Sequence, residues 1–337
     1  MWGAVLALAC LSACSAVSPD SWRVVPIEFD NATDGGREDR IDVTYSMTNM
    51  TDDTTGGFWT ESVGSWLHLD SNGDTLRRFN GEMIATVHGI SAISPTVLAV
   101  SQTGGARTGI FLYDTDAGTW TRIDVDATTI GDVTAGADGL LVYVDFLGSM
   151  VPEYMGTPPG PADLMPFAIR AVDRNGRQTT VLGPESGAVA SAVRIDIDSA
   201  GTVYVSTESE TFTIAADGKR SPLATYPIRK PVLAVNAAGD VLTAASPRTD
   251  TVERGIEWTM LRGSSAARDV MATKGECSPS GEAGIAVLTG AESTSLPFSC
   301  RTNGAVWLSD TTFVLSIGDE GGTILARVTP PEQHTDR

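Results

Sequence analysis

Few side chains in this sequence are equipped for catalysis. Its three histidines are His68, His88 and His334. His88, in the stretch Val87-His88-Gly89-Ile90, is the best single catalytic candidate, because imidazole exchanges protons near neutral pH. His68 falls on an expected inner strand and reads as a satisfied strand residue, and His334 belongs to the C-terminal tail. No Gly-x-Ser-x-Gly elbow occurs, and neither Lys219, Lys230 nor Lys274 has a serine three residues before it, so the common acyl-transfer signatures are missing. His-Glu-x-x-His and Walker A patterns are also missing. Asp132, Asp196 and Asn236 are hard oxygen donors of the type that holds Ca2+, the one cofactor these residues suggest. Asp and Asn are equally common in turns for backbone reasons, so no metal-ligand set is firm. Asp196-Ile197-Asp198 lacks the spacing and terminal Glu of an EF-hand loop.

Other residues point to binding. Tyr154-Met155, in a Pro-rich insertion from Asp145 to Pro166, is an apolar pair that either meets a partner or packs over a rim. Arg229-Lys230 is a rare adjacent basic pair, suited to a small anionic ligand or to a solvated link. Arg248 lies in a further irregular stretch, Ser246 to Gly255. The chain as a whole is acidic, with 23 Lys+Arg against 42 Asp+Glu and a formal net charge of −19. That balance argues against nucleic acid, which needs a basic footprint.

The elements that must hold these residues are strands. Sustained i, i+3, i+4 apolar patterns with caps are missing. Short apolar alternations recur instead, broken by Gly, Asp or Asn, and Gly is 35 of 337 residues, as many tight turns require. One class of hairpin begins at Trp66, Phe111, Ile169, Phe212, Trp258 and Leu315, with turn glycines Gly73, Gly118, Gly176, Gly218, Gly263 and Gly322. A second class begins at Val133, Ile195, Leu233 and Ser299, with a weaker version at Ile90. The two classes alternate at a period near 45 residues, giving four strands per unit. Six such units make an all-β, six-bladed β-propeller. Seven blades stay open as an alternative, because Gly284 to Gly290 reads as an extra strand. The stretches from Arg23 and Arg40 are candidates to complete the first blade. One domain is therefore expected over residues 23–331, followed by a tail at 332–337.

In such a blade the first–second and third–fourth turns share one face, and all other connections share the opposite face. The Gly turns are short and the long insertions fall opposite them. The long-loop face is therefore expected to carry function, since binding residues concentrate on loops held by a rigid scaffold. An envelope protein or a small anionic ligand would be the partner there.

The segment from Val97 to Ile123, with Gly104-Gly105, Tyr113-Asp114 and Trp120, resembles a kelch repeat. Turns such as Val172-Asp173-Arg174-Asn175-Gly176 and the segment from Ile195 look more like NHL and gluconolactonase-like propellers. The resemblance is to propeller blades in general over about 58–329, and it implies a fold rather than a function. The first reading of function is a non-catalytic binding or scaffolding module at the cell envelope. The second is a metal-dependent lactonase or lyase using axial residues, with Asp132, Asp196 and Asn236 as the metal set. A purely structural accessory role is the third reading.

Trp2 to Ala9 is an apolar run too short to span a bilayer, and it suits a signal peptide. Leu11-Ser12-Ala13-Cys14 then resembles a bacterial lipobox, which implies a signal peptide over 1–13, lipidation of Cys14 and a tether over 14–22. The chain would sit on the outer face of the cell membrane, held by its acyl chains. A plain secretory signal or a buried strand is the other reading. Outside the cytoplasm thiols oxidise, so Cys277 and Cys300 are expected to form a disulfide, worth on the order of 3 kcal/mol for a loop of about 20 residues. Two buried free thiols are the alternative.

Overall fold

The fold is that of a computed structural model describing residues 23–27, 49–62, 65–80, 86–103, 108–127, 129–136, 139–148, 165–188, 193–207, 210–223, 232–244, 277–279, 285–289, 292–295, 298–300, 302–319 and 322–329. It contains six four-stranded antiparallel sheets. The first four are continuous in sequence. Their inner strands are Met50–Asp52, Thr86–Ser94, Thr129–Ala135 and Arg194–Ile197, and their outer strands are Thr75–Asn80, Thr119–Ile123, Gln178–Ala188 and Arg220–Pro222. The fifth blade is Val232–Val235, Val241–Ala244, Ile285–Thr289 and Glu292–Ser295. The sixth is Thr302–Ser309, Thr312–Asp319, Gly322–Thr329 and, on its outer edge, Arg23–Ile27. The inner strands contact one another around a ring, and the last meets the first.

Three expectations change. Arg23–Ile27 completes the sixth blade and not the first, pairing from Arg23 opposite Thr329 to Ile27 opposite Leu325. An edge of the last blade covered by the start of the chain closes the ring without an open end. Residues from Arg40 lie outside the described set. Because the sixth blade borrows its outer strand, its hairpins are offset by one. Asn303-Gly304 is no turn but lies within the inner strand, and the hairpin at Leu315 joins the second and third strands. The strand at Ile285–Thr289 founds no seventh blade; it is the third strand of the fifth. The hairpin expected from Trp258 lies outside the described residues.

The short turns repeat one device. Asp70 Oδ1 accepts the N–H groups of Asn72 and Asp74 at 2.7 and 2.9 Å. Asp173 does the same with Asn175 and Arg177 at 2.8 and 2.9 Å, and Asp198 with Ala200 and Thr202 at 2.9 and 2.8 Å. The residue three after the cap must then adopt positive φ, and Gly73 and Gly176 do so at 96° and 78°. A Cβ is costly there. The Asp-x-x-Gly spacing is thus a backbone instruction rather than a metal signature.

The core lies between blades. Trp59 and Trp66 of the first blade pack with Ile90, Leu98 and Val100 of the second. Val142, Val144 and Phe146 of the third pack with Val203, Val205 and Phe212 of the fourth. Ile27, Phe58, Leu69, Val314 and Leu325 join the sixth blade to the first. Each such side chain contributes about 1.5–3 kcal/mol on burial, and only a stacked neighbour supplies that burial.

Candidate functional site

The inner strands of neighbouring blades do not pair as ladders, so their inward N–H groups need other partners. Short polar side chains supply them. Thr51 Oγ1 accepts the Ala92 N–H at 3.0 Å, and Ser91 Oγ accepts the Ala135 N–H at 2.9 Å. Asp132 Oδ2 accepts the Ile195 N–H at 3.1 Å, and Asp196 Oδ2 accepts the Val235 N–H at 2.6 Å. Each bond runs from one blade to the next. Trp307 Nε1 donates to the Ala234 carbonyl at 3.3 Å, tying the sixth blade to the fifth.

These strands enclose an axial cavity of about 520 Å3, within the range that accommodates small ligands. Its lining follows the inner strands toward the turns after them, reaching Thr54, Gly139, Ser199, Ala237 and Asp310. The mouth therefore lies on the short-turn face. Arg194 stands at the inner end, where its Nη1 donates to the His88 carbonyl at 3.2 Å. Arg174 is at the mouth, from the third blade's outer turn. Among the described residues, the charged lining is five aspartates, Asp52, Asp132, Asp196, Asp198 and Asp310, against these two arginines.

Asp196 is strongly perturbed. Burial pushes its carboxyl up to about 7, and the nearby Asp132 charge adds to the rise. The N–H groups of Ile197 and Val235 and the Thr134 hydroxyl oppose it, the last donating at 3.2 Å. Burial likewise raises Asp132, against the pull of the Arg194 guanidinium. A raised carboxyl means the folded state binds more protons than the unfolded chain above the ordinary Asp range. Stability then falls as pH rises from about 4 to about 7, and for Asp196 the change is at most about 4 kcal/mol. Urea unfolding at pH 5 and pH 7.5 measures it. The native chain is expected to lose stability over that interval, and Asp196→Asn to lose distinctly less.

The residues singled out from sequence fall as follows. Asp132 and Asp196 are brought together on the wall, but each spends oxygens on backbone N–H groups. Asn236 follows the fifth inner strand as a turn cap: its Oδ1 accepts the N–H groups of Ala238 and Asp240 at 3.1 and 2.8 Å, and its Nδ2 donates to Asp240 Oδ2 at 3.0 Å. Among the described residues, no group of three or more His, Cys, Asp or Glu side chains is arranged to hold a metal. His88 is partly buried on the second inner strand, and its ring does not line the cavity. His68 lies on a third strand, Ser65–Leu69, not an inner one. It stacks on Trp59 at 4.1 Å and its Nε2 meets Asp53 Oδ2 at 2.7 Å, a buried structural contact. Cys277 lies between the second and third strands of the fifth blade. The short strands Cys277–Pro279 and Phe298–Cys300 pair antiparallel, with Cys277 opposite Cys300. Cys14, Tyr154, Met155, Arg229, Lys230 and Arg248 lie outside the described residues. Arg194, Thr134 and Ser91 on inner strands and Arg174 in a turn were missed, because a polar residue in either place reads as solvated until the ring is closed.

No protein-family profile matches the chain, and no curated protein matches it by sequence. Solved propellers do match in fold. A gluconolactonase from Xanthomonas campestris superposes with a TM-score of 0.54 at 13% identity, covering 91% of this chain and 97% of that one. Virginiamycin B lyase from Staphylococcus aureus gives 0.51 at 13% identity, covering 92% and 99%. Regucalcin, a calcium-binding protein from Agrobacterium tumefaciens, gives 0.50 at 12%, covering 85% and 93%. At such identities the likeness concerns the fold.

Proposed function

We propose that this chain is an exported, lipid-anchored propeller that binds a small polar solute, neutral or cationic, in its axial channel. The observation that carries this is the polar cavity open at the short-turn face, whose charged lining among the described residues is five Asp against two Arg. A site with that balance draws in cations and tolerates neutral hydrogen-bonding groups. Binding is favoured over turnover because the wall carboxylates already accept backbone N–H groups, which ties them to holding the blades together. Cys14 carries the anchor, and Cys277 is joined to Cys300, whose backbone register is that of a bridgeable pair. The long connections on the opposite face, including those carrying Tyr154, Met155, Arg229, Lys230 and Arg248, are open to an envelope protein or an anionic ligand.

A propeller enzyme is the second reading. Asp196, with its carboxyl near 7 on the channel wall, has the acidity of a general acid–base group. Structurally similar propellers are a gluconolactonase and a lyase. Incubation with gluconolactone, in calcium or in EDTA, separates the two readings. Under the binding reading the lactone raises the melting temperature without hydrolysis above background. Calcium-dependent hydrolysis that Asp196→Asn abolishes would establish the enzyme instead.

A further inference from the structure

We propose that the anchor leaves the propeller on its short-turn face, so that the membrane-held molecule turns the channel mouth toward the lipid surface and its long connections away. This rests on the Cys14 anchor proposed above, but its geometry comes from strand polarity. In an up-and-down blade the third strand runs toward the short-turn face and the outer strand runs back from it. Gly322–Thr329 is the third strand of the sixth blade, so Thr329 ends on the short-turn face. Arg23 is paired opposite Thr329, which places the start of Arg23–Ile27 at that face too. A side-chain contact agrees. Arg327, two residues before Thr329, donates through Nη1 to the Ser71 carbonyl at 2.8 Å and to Asn72 Oδ1 at 3.0 Å. Both partners lie in the short turn that Asp70 caps in the first blade.

The reach from the anchor is limited. Eight residues lie between Cys14 and Arg23, and a fully extended chain spans about 3.3–3.6 Å per residue step, so Arg23 lies within roughly 30 Å of the acylated cysteine. The channel mouth shares that face, and it is held over the bilayer at a comparable height. The short turns carry Asp74, Asp116, Asp217 and Asp310, which like-charge repulsion keeps from lying flat on anionic headgroups. A solute enters from the gap between lipid and protein, and the long connections face whatever lies beyond.

Two labels on one blade test this. Ala117 is exposed in the short turn of the second blade, and Asp124 is exposed just past the other end of the same outer strand. Energy transfer from a fluorophore at Ala117→Cys or Asp124→Cys to a headgroup acceptor is measured in vesicles of phosphatidylcholine with one quarter phosphatidylglycerol. One arm uses the lipidated chain. A second uses a chain beginning at residue 14 with an N-terminal histidine tag held on chelator lipid. Stronger transfer from Ala117 than from Asp124, by severalfold, is the expected result. Equal or reversed transfer in the chelator arm overturns the exit face. If the chelator arm gives the expected order while the cell-made chain carries no lipid by mass spectrometry, the anchor reading fails and the exit face stands.

Discussion

Gly89→Ala is expected to be among the most damaging single substitutions in this propeller. A Cβ at Gly89 would lie 2.1 Å from Asp132 Oδ1 and 2.7 Å from the Val133 nitrogen. Backbone cannot give way there, and the carboxylate can move only by releasing the Ile195 N–H, 3.1 Å away. Overpacking costs about 1–3 kcal/mol, and a buried N–H left without its acceptor adds about 1–3 kcal/mol. A total loss near 3 kcal/mol is expected in urea unfolding, with weaker solute binding, because Asp132 lines the channel. Gly183→Ala is the control: nothing lies within 4 Å of its Cβ, and stability should hold within about 0.5 kcal/mol.

Removing Arg23–Ile27 should cost still more. The strand contributes five paired residues to the sixth blade, and Ile27 is 5% exposed among Phe58, Leu69 and Leu325. Ile27 alone accounts for about 1.5–3 kcal/mol, and the lost ladder exposes the edge that closes the ring. A chain beginning at residue 28 is expected to lose more than about 4 kcal/mol. A chain beginning at Arg23 should unfold at the same urea concentration as the full chain. A synthetic peptide covering 20–30 should restore the truncated molecule by adding the missing strand. Unchanged stability after truncation would mean that the ring closes elsewhere.

Much of the fold was legible because a blade is a local object. The hairpins at Trp66, Phe111, Ile169 and Phe212 are third–fourth strand turns in the structure, since Asp or Asn followed by Gly dictates a turn within five residues. The sixth blade was misread because its outer strand comes from the other end of the chain, some 300 residues away, and no local pattern encodes that pairing. Asn303-Gly304 looked like a turn, yet Gly304 is buried on the channel wall. Asp132 and Asp196 were visible as polar residues on inner strands. Their bonds to Ile195 and Val235 were not, because those partners are brought close only by ring closure. Loop length drew attention to the long-connection face, whereas a cavity between inner strands leaves no loop signature. Its mouth at the short turns, with Arg174 and Arg194 on its wall, needed the assembled ring to be seen.

A plug in the channel mouth tests the binding site most directly. Ala237 is exposed at the mouth, where its backbone carbonyl accepts from the Ser199 hydroxyl at 2.6 Å and its side chain takes no part in that bond. Ala237→Trp therefore fills the opening while leaving the clasps between blades in place. Calorimetric titration with putrescine and with myo-inositol, against native chain and variant, reads the site. Saturable binding of at least one probe to the native chain, lost in a folded Ala237→Trp, is the predicted result. Binding that survives the plug, or no binding of either probe to the native chain, would contradict a solute site in the axial channel.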